Sequence, residues 1–248
     1  MRLRTRLFLS FRYRLPDFKI GIGFSELLLD HIPPHVYFDR WSIQPFNGQA
    51  ERWSTISAVA KRFKGTHAIE TGTYLGSSTP YISSLVSGST FTIEINAETV
   101  KKTRKRFEQN HAERNIHLIQ GDSVQEIKKI LQNIDPVTSR VLAYLDAHWL
   151  DKIPTTEEII SLAKWGGPWI AIIDDFNVPS DNGYGFDHYG DVIIGPAIVP
   201  KLEGLHVYVP SGPSNRETGK ARGTGYIFNS AAMEIVVPDD FQELVEVK

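Results

Sequence analysis

The sequence contains no cysteine. Disulfides, thiolate zinc sites and a cysteine nucleophile are therefore excluded. The sequence also has no run of about eighteen apolar residues, which a membrane-spanning helix would need. The excess of charge is small, because 27 basic residues oppose 29 acidic ones and the formal net charge is −2. A dedicated nucleic-acid binder usually carries a basic excess, so we expect no nucleic-acid partner.

Length and composition are those of one folded domain. The chain has 248 residues, of which 41% are hydrophobic and 23% charged, and these values are ordinary for a globular α/β protein. Prolines interrupt the first part of the chain, whereas regular helical and strand patterns start near residue 50. We therefore predict an N-terminal extension over residues 1–48 and the main domain over residues 49–248.

The first fourteen residues interleave arginine with leucine, phenylalanine and tyrosine. They lack the unbroken apolar stretch of a secretory signal, so we expect the protein in the cytoplasm. One interpretation is a basic arm that makes weak contact with an anionic membrane surface or with a second copy of the chain in a homo-oligomer. The other is a loosely held terminus or a solvated first helix, as is common at chain ends.

Strand and helix patterns alternate along the main domain. Helices are predicted over residues 50–63, 77–86, 97–110, 124–131 and 155–164. Strands are predicted over residues 67–70, 90–95, 116–120, 141–146, 169–174, 205–210 and 225–229. Several strands are continuous apolar runs, which is typical of parallel strands covered on both faces. The pattern predicts an α/β fold with a Rossmann-like, doubly wound, mostly parallel sheet of seven strands, preceded by a helical extension.

The first predicted helix has an apolar face formed by Ile56, Val59, Ala60 and Phe63. Its charged residues are expected to lie off that face, and they are Glu51, Arg52, Lys61 and Arg62.

Acidic residues stand where predicted strands end. They are Glu70, Glu94, Asp146, Asp174 and Asp175. Ligands of open α/β sheets bind beyond the carboxyl ends of the strands, so these acids are expected to lie at a ligand site. Several carboxylates at one edge repel each other, and their natural partners are hydroxyls, a cation or an amino group.

A glycine loop follows the first strand. Gly72 and Gly76 allow close approach of the backbone to a nucleotide-bearing cofactor. The dinucleotide fingerprint needs two further glycines, but Tyr74 and Ser77 stand at those positions, which argues against a pyrophosphate cradle. The carboxylate of Glu70 also disfavours phosphate and suits the ammonium end of S-adenosylmethionine (SAM).

The next strand ends offer acceptors for the rest of such a cofactor. Glu94 can accept hydrogen bonds from both ribose hydroxyls, and Asp122 with Ser123 can meet an adenine amino group. Each signal alone also fits a turn or a solvated charge, but together they favour a SAM site. The predicted cofactor-binding residues are Glu70, Gly72, Thr73, Tyr74, Gly76, Ser77, Glu94, Ile95, Asp122, Ser123 and Asp146.

The sequence resembles class I SAM-dependent methyltransferases. The resemblance is carried by residues 70–78, by Glu94 and by residues 121–123, and it extends from about residue 45 to about residue 230. Residues 45–49, 145–149 and 173–176 are similar to a bacterial branch related to the catechol-type and macrolide-sugar O-methyltransferases. The resemblance implies a methyltransferase that modifies a hydroxylated small molecule or sugar.

The same resemblance implies a metal. Metal-dependent relatives hold Mg²⁺ on acids at the ends of the fourth and fifth strands, so the metal candidates here are Asp146 with Asp174 or Asp175. Their oxygens are the ligands that Mg²⁺ or Ca²⁺ prefers. In the alternative interpretation, Asp146 only caps the following segment, so the metal remains one of two possibilities.

Catalytic and substrate residues are expected beside this cluster. His148 is the candidate general base, and Asp146 is the catalytic acidic residue that acts through the metal. The predicted substrate contacts are Trp149 and, from a long loop over residues 176–190, Tyr184, Phe186, His188 and Tyr189. The alternatives are packing roles for His148 and Trp149, and a surface loop without a ligand.

Three other functions are compatible with parts of the pattern. A nicotinamide-dependent oxidoreductase is disfavoured by the missing fingerprint glycine. A non-catalytic SAM-binding partner protein is disfavoured by the intact row of acids. The third is an RNA or protein methyltransferase, for which the acidic rim and the lack of an Asn-Pro-Pro-Tyr-like segment after the fourth strand disfavour methylation of a base nitrogen.

Overall fold

The computed structural model describes residues 45–109, 115–147, 153–236 and 241–247. Most of the predicted N-terminal extension, including its arginine-rich start, lies outside these ranges, and so do His148 and Trp149. None of the helices within the described ranges is both long and apolar enough to cross a membrane.

Helices and strands alternate through these ranges. The helices described are α1 (Ala50–Phe63), α2 (Thr79–Ser84), α3 (Ala97–Gln109), α4 (Ser123–Leu131), α5 (Thr155–Trp165) and α6 (Ser230–Met233). The strands described are β1 (His67–Thr71), β2 (Thr90–Glu94), β3 (Ile116–Gln120), β4 (Val141–Leu145), β5 (Trp169–Asp174), β6 (His188–Tyr189), β7 (Val192–Ile193), β8 (Leu205–Pro210), β9 (Thr224–Asn229) and β10 (Leu244–Glu246).

The main sheet has the strand order β10-β8-β9-β5-β4-β1-β2-β3. The five strands from β5 to β3 are parallel, and β9, β8 and β10 add antiparallel neighbours at the other side. The predicted Rossmann-like, mostly parallel architecture is confirmed. The predicted count of seven strands is wrong, because β10 pairs with β8 as an eighth. This strand has three residues and only Leu244 is buried, so no hydrophobic run marks it.

Helices cover both faces of the sheet. Along β4, Leu142 and Tyr144 pack in one apolar cluster with Ile56 of α1. The intervening residues of β4 pack in a second cluster with Ile127 of α4 and Ile159 of α5. Successive side chains of a strand point to opposite faces, so a strand buried on both faces is apolar throughout, as the sequence indicated.

The buried face of α1 includes a charged residue. Arg52 was expected off the apolar face, but it precedes Ile56 by four residues and therefore points to the same side of the helix. Only 2% of Arg52 is exposed, so that expectation is wrong. The guanidinium reaches the carboxyl end of the sheet, where the candidate site lies.

Candidate functional site

The site lies where the strand order reverses. β2 and β3 follow β1 to one side, and β4 and β5 lie to the other, so the switch point falls between β1 and β4. The loop after β1 crosses this point. Gly72 has a φ of +77°, and a Cβ there would come 2.2 Å from the carbonyl oxygen of Asp146. Glycine is therefore needed for the loop to lie against the end of β4.

Glu70 stabilises this loop through buried hydrogen bonds. Its carboxylate is fully buried and accepts hydrogen bonds from the hydroxyls of Ser78, Thr79 and Thr92, the last at 2.6 Å. Burial raises the pKa of Glu70, and the three hydroxyl donors oppose that shift. Helix α2 begins at Thr79, two residues after the predicted start at Ser77. In this arrangement Glu70 orients the loop and offers no exposed oxygen to an ammonium group.

Helix α3 also stabilises the glycine loop, by a hydrogen bond and by close packing. The hydroxyl of Thr103 donates to the carbonyl of Tyr74 at 2.6 Å. Gly76 has a φ of +70°, and a Cβ there would meet the ring of Phe107 at 2.6 Å. Tyr74 itself has a φ of +46° and leaves 43% of its surface exposed. The loop therefore has a fixed backbone and one exposed aromatic side chain.

Glu94 stands beside the loop at the end of β2. One of its oxygens accepts the backbone N–H of Tyr74 at 2.8 Å, and the other accepts the N–H of Asn96 at 2.9 Å. The next residue, Ile95, is 68% exposed. A half-exposed carboxylate and an exposed apolar side chain thus share the rim next to the loop.

The remaining predicted cofactor residues adjoin this rim. Asp122 caps α4 by accepting the N–H of Gln125 at 3.2 Å, and Ser123 is nearly buried in the first turn. Thr73 is buried and shares a 2.6 Å hydrogen bond with Thr92.

Three aspartates gather at the ends of β4 and β5. Burial raises the pKa of Asp146 well above its ordinary value, and the negative charges of Asp174 and Asp175 add to the shift. The guanidinium of Arg52 lies 2.6 Å from Asp174, and the hydroxyl of Tyr144 donates to the other oxygen of Asp174 at 2.7 Å. The carboxylates converge as predicted, and next to them lies the buried cation of Arg52, which was predicted to lie off the apolar face of its helix.

A second arginine binds the other aspartate of the pair. Nε of Arg222 donates to Asp175, and its Nη2 donates to Asp187. Burial alone lowers the pKa of Arg222, but the two carboxylates outweigh it and the pKa lies above its ordinary value. Asp175 has a φ of +53°, an uncommon conformation for a residue with a Cβ.

The side chain of Gln49 forms hydrogen bonds with both arginines. Its side-chain oxygen accepts from Nη1 of Arg52 at 3.3 Å and from the backbone N–H of Arg222 at 3.1 Å. Its side-chain amide donates to the carbonyl of Arg222 at 2.9 Å. Gln49 and Arg222 were not among the predicted site residues. The four-residue spacing from Arg52 to Ile56 was the available signal for Arg52, and no local pattern marks Arg222.

The donor set does not fit an open Mg²⁺ site. Asp174 and Asp175 are each paired with a guanidinium. Among the ranges that the structure describes, no group of three or more acidic or histidine side chains is arranged to hold a metal ion. Magnesium requires several accessible oxygens in near-octahedral geometry.

The predicted substrate loop is anchored rather than free. Gly185 exchanges backbone hydrogen bonds with Ala221 and Gly223 at 2.9 and 2.8 Å. Tyr184 is 4% exposed and its hydroxyl donates to the carbonyl of Gly212 at 3.1 Å, so its ring belongs to the core and does not offer a stacking face. The prediction that Tyr184 contacts a substrate does not fit this position.

The other loop residues lie closer to the surface. Phe186 and Tyr189 are half-buried, and His188 is exposed. Burial raises the pKa of Tyr189 to about 12, with further contributions from the carboxylates of Asp187, Asp175 and Asp146. The hydroxyl of Tyr189 is therefore close enough to these carboxylates for their charges to affect it.

Comparisons with known proteins identify this architecture. No family model and no curated protein sequence matches the chain. An O-methyltransferase from Bacillus cereus in complex with SAH aligns over 83% of this chain and 94% of its own, with a TM-score of 0.55 and 14% identity.

Two further structures agree. The O-methyltransferase TomG from Streptomyces achromogenes, involved in tomaymycin synthesis and in complex with SAM, covers 79% of this chain and 87% of its own, with a TM-score of 0.52 and 14% identity. A methyltransferase from Geobacter sulfurreducens covers 85% and 98%, with a TM-score of 0.51 and 11% identity. At these identities the likeness shows that the chain has the methyltransferase fold.

Proposed function

We propose that this chain is a SAM-dependent methyltransferase that modifies a hydroxyl group of a small molecule, such as a sugar. The observation that carries the proposal is the position of Glu94, half-exposed beside the glycine loop at the switch point of the sheet. A carboxylate at this position can accept hydrogen bonds from two ribose hydroxyls. The exposed side chains of Ile95 and Tyr74 offer apolar surface to an adenosine on either side of it.

The chain's own groups would bind and orient the reactants. SAM supplies an electrophilic methyl group on a positively charged sulfur when it is bound. The loop over residues 72–76 presents backbone groups in a fixed conformation, because Glu70 and α3 hold it from two sides. Alignment of the acceptor oxygen with the methyl group accounts for much of the expected rate gain.

The acceptor is expected on the acidic side of the site. Asp146 directly follows β4 and lies against the glycine loop, and Tyr189 is close enough to the same carboxylates for their charges to affect its hydroxyl. A carboxyl group and a phenol hydroxyl suit a hydroxylated acceptor, because both can form hydrogen bonds with its hydroxyl groups. His148 as proton acceptor and Trp149 as a wall of the site stay predictions of the sequence. Magnesium assistance does not fit aspartates that are paired with arginines, and no step depends on it.

Calorimetric titration of the full chain tests the proposal. We expect SAM and SAH to bind in a 1:1 ratio, and we expect NADH not to bind. Glu94→Gln should weaken SAM binding by about tenfold or more, because hydrogen bonds to a charged acceptor contribute about 1.5–3 kcal/mol. Glu98→Gln, which neutralises an exposed glutamate on the first turn of α3, is the matched control and should leave the affinity unchanged.

Two results would contradict the proposal. One is the absence of SAM binding by wild-type protein whose circular-dichroism spectrum shows it to be folded. The other is an equal effect of both glutamate substitutions, since that would remove Glu94 from the binding site.

A further inference from the structure

The acidic cluster needs a fixed positive charge. Leu145 and Ile173 are register partners in the parallel strands β4 and β5, so Asp146 and Asp174, the next residue of each, come side by side, and Asp175 follows. Carboxylates taken out of water next to one another are stable only with compensating charge and hydrogen bonds. In relatives of the branch that the sequence resembles, a divalent ion supplies that charge, whereas here two guanidinium groups occupy the cluster.

Arg52 compensates Asp174 from inside the protein. The exposed fractions of the two side chains are 1% and 7%, and the contact is 2.6 Å long. Asp174 also accepts from the hydroxyl of Tyr144 and from the backbone N–H of Asp175, each at 2.7 Å. Both carboxylate oxygens of Asp174 are thus occupied by protein donors, and Gln49 fixes the guanidinium that binds one of them.

Arg222 compensates Asp175 from the other side. Its guanidinium bridges Asp175 and Asp187, and its own exposed fraction is 13%. The side chain of Gln49 accepts from the backbone N–H of Arg222 and donates to its carbonyl, so both backbone groups of Arg222 are hydrogen-bonded. Asp187 belongs to the loop that carries Tyr189, so Arg222 ties that loop to the end of β5.

We infer that Arg52 and Arg222 are the permanent cations of this site and take the place of a divalent metal. The inference rests on the proposed function, because it concerns how the same site handles the charge of a hydroxylated acceptor. Arg222 is then a positioning residue, which neutralises Asp175 and places the Tyr189 loop over the cluster. Methyl transfer would need no added metal: the acceptor oxygen would bond to the methyl carbon as that carbon's bond to the SAM sulfur breaks, SAH would leave, and the acceptor proton would pass to the predicted base His148.

Manganese titration tests the inference without knowledge of the acceptor. Free Mn²⁺ is followed by its electron paramagnetic resonance signal as MnCl₂ is added to wild-type protein that has first been stripped with EDTA and exchanged into metal-free buffer. We expect the signal to track the total Mn²⁺, with no 1:1 site in the micromolar range. Arg222→Gln removes the Arg222 charge from Asp175 and Asp187, and it should bind Mn²⁺ at least about tenfold more tightly than wild type.

Three variants control for folding and location. Arg222→Lys keeps the charge, so it should stay folded and bind no more Mn²⁺ than wild type. Adding Asp175→Asn to Arg222→Gln should remove the gained binding. Arg216→Gln changes an exposed arginine of the same loop and should behave as wild type.

The inference is overturned if wild-type protein binds one Mn²⁺ tightly and loses it with Asp175→Asn. It is also overturned if Arg222→Gln is folded and binds no more Mn²⁺ than wild type. SAM titration of the same samples separates the two proposals. A protein that binds neither SAM nor Mn²⁺ contradicts the methyltransferase function and leaves the arginine assignment in place.

Discussion

The buried guanidinium of Arg52 binds a carboxylate on the acidic side of the site. Arg52 reaches from the first turn of α1 to Asp174, and it also contacts Gln49. A buried pair of this kind gives little net stability over an apolar pair of the same shape. Loss of one partner is costly nonetheless, because the remaining charge is left without water or a counterion.

Arg52→Met tests this role at the residue scale. Methionine retains much of the apolar volume but removes the cation that is paired with the buried Asp174, so we expect the free energy of unfolding to fall by about 3–5 kcal/mol. Urea denaturation followed by circular dichroism measures the change. Arg104→Met, at an exposed position of α3, should change stability by no more than about 0.5 kcal/mol. Similar losses in both variants would show that the Asp174 pair has no special weight.

The sequence predicted the acids of this cluster but not their partners. Asp146 and Asp174 follow apolar strands, and parallel strands end at the same edge, so their convergence could be predicted from local pattern. Arg222 is 47 residues from Asp175 and lies in a loop without periodicity. Such a pairing depends on how loops return over the sheet, which local patterns do not encode.

At the scale of elements, the glycine loop is fixed by its neighbours. The end of β4 lies against Gly72, and α3 contacts Tyr74 and Gly76. Contacts within the protein therefore set the conformation of the loop, which lowers the entropic cost of ordering it when a ligand binds.

Gly72→Ala tests that close approach. A Cβ at Gly72 would lie 2.2 Å from the Asp146 carbonyl, whereas one at Gly166 meets nothing within 4 Å. Both residues have left-handed φ values, +77° and +82°, so both variants carry about 1–2 kcal/mol of backbone strain. We expect Gly72→Ala to lose about 1–3 kcal/mol more stability than Gly166→Ala, because of overpacking, and to weaken SAM binding. Equal losses in thermal or urea denaturation would contradict the close contact.

Most elements could be predicted from the sequence, and the exceptions have physical causes. The bounds of α1, β3, β5 and β8 were predicted as they are observed, because continuous periodicity sets them. Helix α2 begins two residues later and ends two residues earlier than predicted. At its start the hydroxyls of Ser78 and Thr79 bind Glu70, a tertiary contact that local periodicity does not encode.

At the scale of the whole molecule, different parts of the chain build the two sides of the site. The cofactor side comes from β1, β2 and α3, and the acidic side comes from the ends of β4 and β5. Segments distant in sequence close the acidic side. Glu217 accepts the first N–H groups of α1, from Glu51 at 3.2 Å and Arg52 at 3.0 Å, and Thr218 accepts that of Ala50.

This division explains what the sequence could and could not predict about function. The side proposed to bind SAM is built from contiguous strand–loop–helix patterns, so the sequence alone indicates which residues lie there. The acceptor side depends on loops that pack across the sheet. No local signal in the sequence indicates that Tyr184 is buried among these loops, so it was predicted as a substrate contact. The acceptor class is therefore best sought by experiment at the acidic side.

Hydrogen exchange with and without SAH tests the central claim most directly, because it measures both binding and its location in the intact chain. At saturating SAH, we predict slower amide exchange in residues 71–76 and 94–96, and unchanged exchange in the β8 segment over residues 205–210. Protection confined to other segments, or unchanged exchange at the glycine loop and Glu94, would contradict the proposed SAM site.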